Sequence, residues 1–134
     1  MVELRLRSGI FKEIFTEKEG VAVFNTFIGG SWDTSSELSP VYSPLDGSLI
    51  AKVPRLEWSQ IDEALEKIYR RGKWEIRDTP GDRRLELIRR IADLMEQNAE
   101  DFIHVLMLDA GKTRKQAQGE VYASIDRMRK AEMD

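Results

Sequence analysis

The chain has no cysteine and a single histidine among its 134 residues. The first absence removes disulfides, zinc–thiolate sites and any thiol nucleophile. The second leaves His104 without the partner imidazole, or the serine and acid, that a histidine metal site or a catalytic triad requires. A lone histidine within an apolar run is a packed or surface-tipped residue with one hydrogen bond, and no catalytic role is assigned to it. No apolar stretch approaches the ~18 residues that would span a bilayer, and Glu3, Arg5 and Arg7 open the chain with no signal-peptide core behind them. The expectation is a soluble, cytoplasmic protein with no membrane partner. Surplus basic charge is absent too: 21 Lys and Arg stand against 24 Asp and Glu, for a net charge of −3 and a pI near 5.3. Binding to a phosphate polymer would need a local patch, so nucleic acid is not expected as a partner.

What is present is charge of both signs, 34% of the chain, beside 41% hydrophobic residues. That balance describes a folded, well-solvated, helix-rich protein, and the length suits one domain over 1–134. Its fold class reads as α+β. Residues 1–20 are expected to form a helical arm, because Ile10, Phe11, Ile14 and Phe15 share one face of a short helix that Gly20 is placed to stop. Residues 21–54 read as two β-hairpins. In the first, the β-branched and aromatic run from Val21 to Ile28 turns at Gly29-Gly30 and returns through Ser31-Trp32. In the second, Pro44-Leu45-Asp46-Gly47 separates Val41-Tyr42-Ser43 from the extended run Ser48 to Val53.

From residue 59 to 134 the period becomes 3.6 and helices are expected. Ser59 is placed as N-cap with Asp62 as its capping partner, Ile61, Ala64, Leu65 and Ile68 form one face, and Gly72 can end the helix. Thr79 as N-cap and Pro80 as first helical residue start the next, whose stripe is Leu85, Ile88, Ile91, Ala92 and Met95. Arg83, Arg84, Arg89 and Arg90 lie largely outside that stripe. They read either as an anion site or, with Glu86, Asp82 and Asp93 among them, as a solvated face laced with ion pairs. Asn98 can cap a further helix ended by Gly111, whose run Phe102 to Leu108 is apolar on nearly every side and so needs surroundings. A last helix over Lys115 to Asp134 carries Ala117, Val121, Ile125 and Met128 inward. Nothing in the sequence stops it, which gives the expectation of a truncated domain.

The order of short signals resembles the opening of an aldehyde dehydrogenase. It runs Phe27-Ile28-Gly29-Gly30-Ser31-Trp32, then Ser43-Pro44-Leu45-Asp46-Gly47, then Arg71-Gly72-Lys73-Trp74, then Leu108-Asp109-Ala110-Gly111-Lys112. Within that superfamily, Arg77-Asp78-Thr79-Pro80-Gly81 and the closing helix from Glu120 resemble the archaeal non-phosphorylating, NADP-dependent glyceraldehyde-3-phosphate dehydrogenases. The resemblance implies an N-terminal fragment of a several-fold longer enzyme, with helices that pack beside a dinucleotide-binding sheet. It places the nucleophilic cysteine, the general-base glutamate and the NADP (or NAD) site outside this chain, so the isolated chain is expected to be neither catalytic nor cofactor-binding.

Three positions gain a meaning only in a completed enzyme. Arg129 resembles an arginine that steadies a substrate phosphate at the entrance, beside the alternative of a solvated helix-end arginine. Val41 and Asp109 resemble positions whose backbone oxygens hold a structural monovalent cation. A second reading is a self-associating helical binding or assembly module without chemistry, since apolar faces left uncovered become interfaces. The expected partners are therefore another copy of the chain or a complementary C-terminal dehydrogenase fragment.

Overall fold

A computed structural model describes residues 3–28, 30–33 and 37–131. The fold is α+β, with short strands leading and helices following. Strands β1 (Phe15–Lys18), β2 (Val21–Phe24), β5 (Leu38–Tyr42) and β6 (Leu49–Pro54) form a four-stranded sheet in the order β1-β2-β6-β5. The pair β2–β6 is parallel, with Ala22 opposite Ala51, and its neighbours are antiparallel. Strands β3 (Thr26–Ile28) and β4 (Ser31–Asp33) make a separate two-stranded sheet.

The second predicted hairpin is present as β5–β6, closed by Ser43 N–H to Ser48 O at 2.9 Å and Gly47 N–H to Ser43 O at 2.9 Å. The first is divided. Asn25 separates β2 from β3, and only β3 turns back on β4, through Gly30 at φ 86°. Gly29, the other half of the expected turn, lies outside the described residues, as do Thr34 to Ser36 and residues 132–134 of the expected closing helix, which already ends at Arg129 with Lys130 in a turn.

The helical arm over residues 1–20 is corrected. Only Gly9–Glu13 are helical, as a 3-10 turn, and the chain then extends as β1. The apolar spacing is satisfied in another way: Phe11 meets Phe102 edge-on at 5.7 Å, while Phe15 pairs across the strands with Phe24 at 5.5 Å. Gly20 stops no helix. With Glu19 at φ 55° and Gly20 at φ 76°, the two residues make the doubly left-handed turn that suits the twist of a tight hairpin.

Helix α1 (Trp58–Lys67) begins one residue before the expected cap, and the Gln60 side chain accepts from the Glu57 N–H at 2.9 Å in the role given to Asp62. Gly72 does not end it. Its φ of −60° is helical rather than left-handed, so the chain passes through a π turn (Ile68–Gly72) straight into α2 (Lys73–Asp78). Thr79 serves the helix behind it, donating its hydroxyl to Glu75 O at 2.6 Å, and Pro80 caps α3 (Gly81–Gln97). Asn98 likewise reaches back, its Nδ2 donating to Leu94 O at 2.7 Å, before α4 (Ala99–Ala110) begins. Gly111, at φ 63°, ends α4 as expected. Thr113 caps α5 (Arg114–Arg129), with the Gln116 side chain answering from the third position.

The main core lies among α3, α4 and α5. Ala92, Ala99, Ile103, Ala117, Val121 and Ile125 are buried there, with Met95, Phe102, Leu106, Met107 and Met128 packed around them. Alanine at three of these positions lets the helices approach closely, and Ile103 fills the middle with no exposed surface. The predicted α3 stripe is thus divided: Ala92 is buried, whereas Ile91 is half exposed, on a second apolar line with Leu87 and Leu94.

Polar ties fasten the β5–β6 turn and the N-terminal segment to the helices. Ser43 Oγ donates to Leu108 O at 2.6 Å, fixing the β5–β6 turn to the last turn of α4. The opposite end of α4 holds the N-terminal segment, through Asp101 accepting from the backbone N–H of Arg7 at 2.9 Å and of Ser8 at 2.8 Å. Accessible surface totals 9881 Å², whereas a compact chain of this mass exposes roughly 7200 Å². The architecture is open. Ile103→Ala is predicted to cost about 2–5 kcal/mol in urea unfolding, and Ser43→Ala about 1–3 kcal/mol because it strands a buried carbonyl. A Ser43→Ala variant as stable as the parent would refute the role given to the tie.

Candidate functional site

Arg129 stands in the last turn of α5, where a cation meets the negative end of the helix, and the α3–α5 packing brings it over the end of α3. Its guanidinium donates to Asp93 Oδ1 at 2.9 Å and to Glu96 at 2.5 and 3.2 Å. The fork is therefore occupied by two carboxylates of the same chain. Bonding to Glu96 first, and then to Asp93, holds the guanidinium protonated well above its ordinary range, and the bond from Arg129 lowers Glu96 below the usual carboxylate range. All three side chains are about half exposed, so water screens the pairs.

A shallow groove of about 460 Å³ runs beside this cluster, lined by Arg7, Ser8, Glu96, Asn98, Asp101 and Tyr122 among others. Arg114 closes a further pair on its Glu100, at 2.6 Å. Along the α3 surface, Arg83 pairs with Glu86 at 2.5 Å. Of the two readings of the arginine-rich face, this exposed pair belongs to a solvated one.

Val41 and Asp109 flank the Ser43–Leu108 bond, one on the strand side and the other on the helix side. The β5–β6 register shifts between Val41 and Tyr42, which interrupts the ladder beside the junction. The carbonyl of Leu108, next to Asp109 in the chain, accepts the serine hydroxyl. His104 accepts at Nε2 from the Arg5 N–H at 3.4 Å and so touches the N-terminal segment.

Ser43 and Asp101, the buried polar residues of the described chain, carried no functional signal in the sequence. Only Asp101's place in the first turn of an apolar helix could have marked it, since an acid there is favoured by the helix dipole.

No cysteine is present in the sequence, and no cluster of three His, Asp or Glu able to hold a metal occurs among the described residues. Strand β6 leads into α1 through Arg55-Leu56-Glu57. Among the described residues no helix is long and apolar enough to cross a membrane.

Residues 32–133 match the model of the aldehyde dehydrogenase family. Similar proteins include the 2-aminomuconic 6-semialdehyde dehydrogenase of a Pseudomonas species, 33% identical over 66% of this chain and 18% of its own length. The alpha-aminoadipic semialdehyde dehydrogenase of Bos taurus is 29% identical over 86% of this chain and 20% of its own. Among solved structures, an NAD-dependent benzaldehyde dehydrogenase from Corynebacterium glutamicum superposes with a TM-score of 0.72 at 28% identity, covering 78% of this chain and 23% of that one. The chain spans about a fifth of the length of the curated relatives it matches.

The cluster makes a pH-dependent prediction. Because Glu96 has a lowered folded-state pKa, its contribution to stability is present above its unfolded pKa and is lost as pH falls through the lowered folded value. In Arg129→Ala, NMR titration is expected to move the Glu96 midpoint upward toward the ordinary carboxylate range. An unchanged midpoint would show that the pair does not hold in solution.

Proposed function

The chain belongs to the aldehyde dehydrogenase family, and we propose that it is the leading structural part of an NAD(P)-dependent aldehyde dehydrogenase, without turnover of its own. One observation carries this reading: the family match spans most of a chain that contains no cysteine. Oxidation of an aldehyde in this family proceeds by thiol addition to the carbonyl and hydride transfer to the nicotinamide. Neither step has a group here to perform it. The part of the chain is to present α3, α4 and α5 as a wall against which a complementary C-terminal dehydrogenase segment packs.

Glyceraldehyde 3-phosphate is the aldehyde assigned, and NADP the cofactor. Their support is the likeness of Arg77-Asp78-Thr79-Pro80-Gly81 and of the closing helix to enzymes of that specificity. Arg129 is the residue assigned to the substrate phosphate, which would take over the guanidinium fork from Asp93 and Glu96. The backbone oxygens of Val41 and Asp109 are assigned to a structural monovalent cation, supported by their place on either side of the Ser43–Leu108 junction. The names of several similar proteins point to other aldehydes, including succinate semialdehyde with NADP(+) in a relative from Saccharomyces cerevisiae. That aldehyde is the competing substrate in the test.

The purified chain is expected to give no rise in absorbance of reduced nicotinamide with either aldehyde, with NADP or NAD. Turnover proportional to the concentration of this chain would overturn the assignment. Co-expressed with the C-terminal remainder of a similar aldehyde dehydrogenase, the chain is expected to copurify with it, and failure to associate would remove the structural role.

A further inference from the structure

Residues 3–8 take no part in either sheet, yet they alternate as a strand does. Leu4, Leu6 and Ser8 are half-buried, whereas Glu3, Arg5 and Arg7 are exposed. A strand in a sheet gives its amides to a neighbouring backbone. Here they go to side chains of α4. The N–H groups of Arg7 and Ser8 donate to the two oxygens of Asp101 at 2.9 and 2.8 Å, and the Arg5 N–H donates to His104 Nε2 at 3.4 Å. Asp101 and His104 stand three residues apart and so share one face of the helix. Beyond Ser8 the chain is anchored again, where Phe11 meets Phe102 at 5.7 Å.

The two fastenings differ in chemistry. An ionised carboxylate accepts on both oxygens, but an imidazole accepts only while it is neutral, because both ring nitrogens of the protonated form are donors. Imidazole is the side chain that takes up its proton between neutral and mildly acid solution, and carboxylates take theirs at lower pH. We propose that residues 3–6 form a strap, closed on α4 while His104 is neutral and lifted when His104 is protonated, with the Asp101 clamp on Arg7 and Ser8 as its hinge. A proton added at Nε2 sets a donor against the Arg5 amide and ends the outer fastening. The inner one is untouched by the same proton.

The charged groups around the ring do not offset this loss, because the acids near it are already engaged. On the segment, Glu3 is held by Arg5 at 2.6 Å. On α4, Asp101 is filled by its two amides and Glu100 is held by Arg114 of α5 at 2.6 Å. On α5, which packs against α4, Glu120 is paired with Lys112. Lifting the strap frees Leu4 and Leu6, so the chain shows an apolar edge in acid that it covers at neutral pH. The inference is independent of the function proposed for the chain.

Water-exchange NMR of the full chain between neutral and mildly acid pH tests it, with each amide rate divided by its intrinsic value at that pH. Protection of the Arg5 amide is expected to fall roughly 5- to 10-fold, with the midpoint of the His104 ring-proton shift followed in the same samples. The Arg7 and Ser8 amides should stay protected through that step. In His104→Gln, whose side-chain carbonyl accepts at every pH, the Arg5 amide is expected to stay protected throughout, and in His104→Leu it should be unprotected even at neutral pH. Unchanged signals from Ile103 and Val121 check that each variant keeps the core. Arg5 protection that persists while His104 titrates would overturn the proposal, as it would if Glu3 left Arg5 to pair with the protonated ring. So would the same loss in His104→Gln, or loss of Arg5, Arg7 and Ser8 protection in one step.

Discussion

A hydrogen bond from the hydroxyl of Ser43 to the carbonyl of Leu108 ties the β5–β6 turn to the end of α4, whose helix packs with α3 and α5 around Ile103. It forms where neither partner can turn to water, since Ser43 is almost wholly buried. The carbonyl it satisfies belongs to the last turn of α4, where backbone acceptors run out of helical donors. One serine therefore both completes a helix end and sets the position of a hairpin. At the other end of the same helix, Asp101 performs the converse service, accepting two amides of the N-terminal segment. Helix α4 is an axle with a polar fastening at each end and Ile103 at its centre.

Much of this was legible in the sequence where the signals are local. The β5–β6 hairpin follows from Pro44-Leu45-Asp46-Gly47, the end of α4 from Gly111, and the inner face of α5 from Ala117, Val121 and Ile125. Illegible parts have two causes. Some patterns satisfy two structures at once: Ile10, Phe11, Ile14 and Phe15 suit a helix face, yet they are used by a ring contact with Phe102 and a cross-strand pair with Phe24. The turn that decides the matter uses Glu19 in a left-handed conformation, which glutamate seldom signals. Other features are tertiary. The parallel pairing of β2 with β6, the burial of Ser43 and the amide clamp at Asp101 join residues far apart in the chain, and no local spacing encodes them.

At Arg129 the sequence shows a residue type and not its pairing. Arg129 was singled out as a fork-shaped donor, and it is one, but two carboxylates of its own chain hold it. Asp93 and Glu96 lie on α3 and reach Arg129 only because α3 and α5 pack together. The positive charge is neutralised before any ligand arrives. The substrate phosphate proposed for Arg129 would have to exchange with these internal partners rather than meet a vacant cation, and the difference favours selectivity over affinity.

Gly111 carries a further consequence. A side chain at this position would place its first carbon 3.2 Å from Pro44 Cγ, on a backbone already left-handed at φ 63°. The proline ring is thus seated directly against the chain just past α4, a few residues beyond the serine tether. A tether pulls the hairpin in and a stop keeps it from closing further. Together they act as a mechanical detent, which holds the β5–β6 turn at the end of α4 by one bond and one contact.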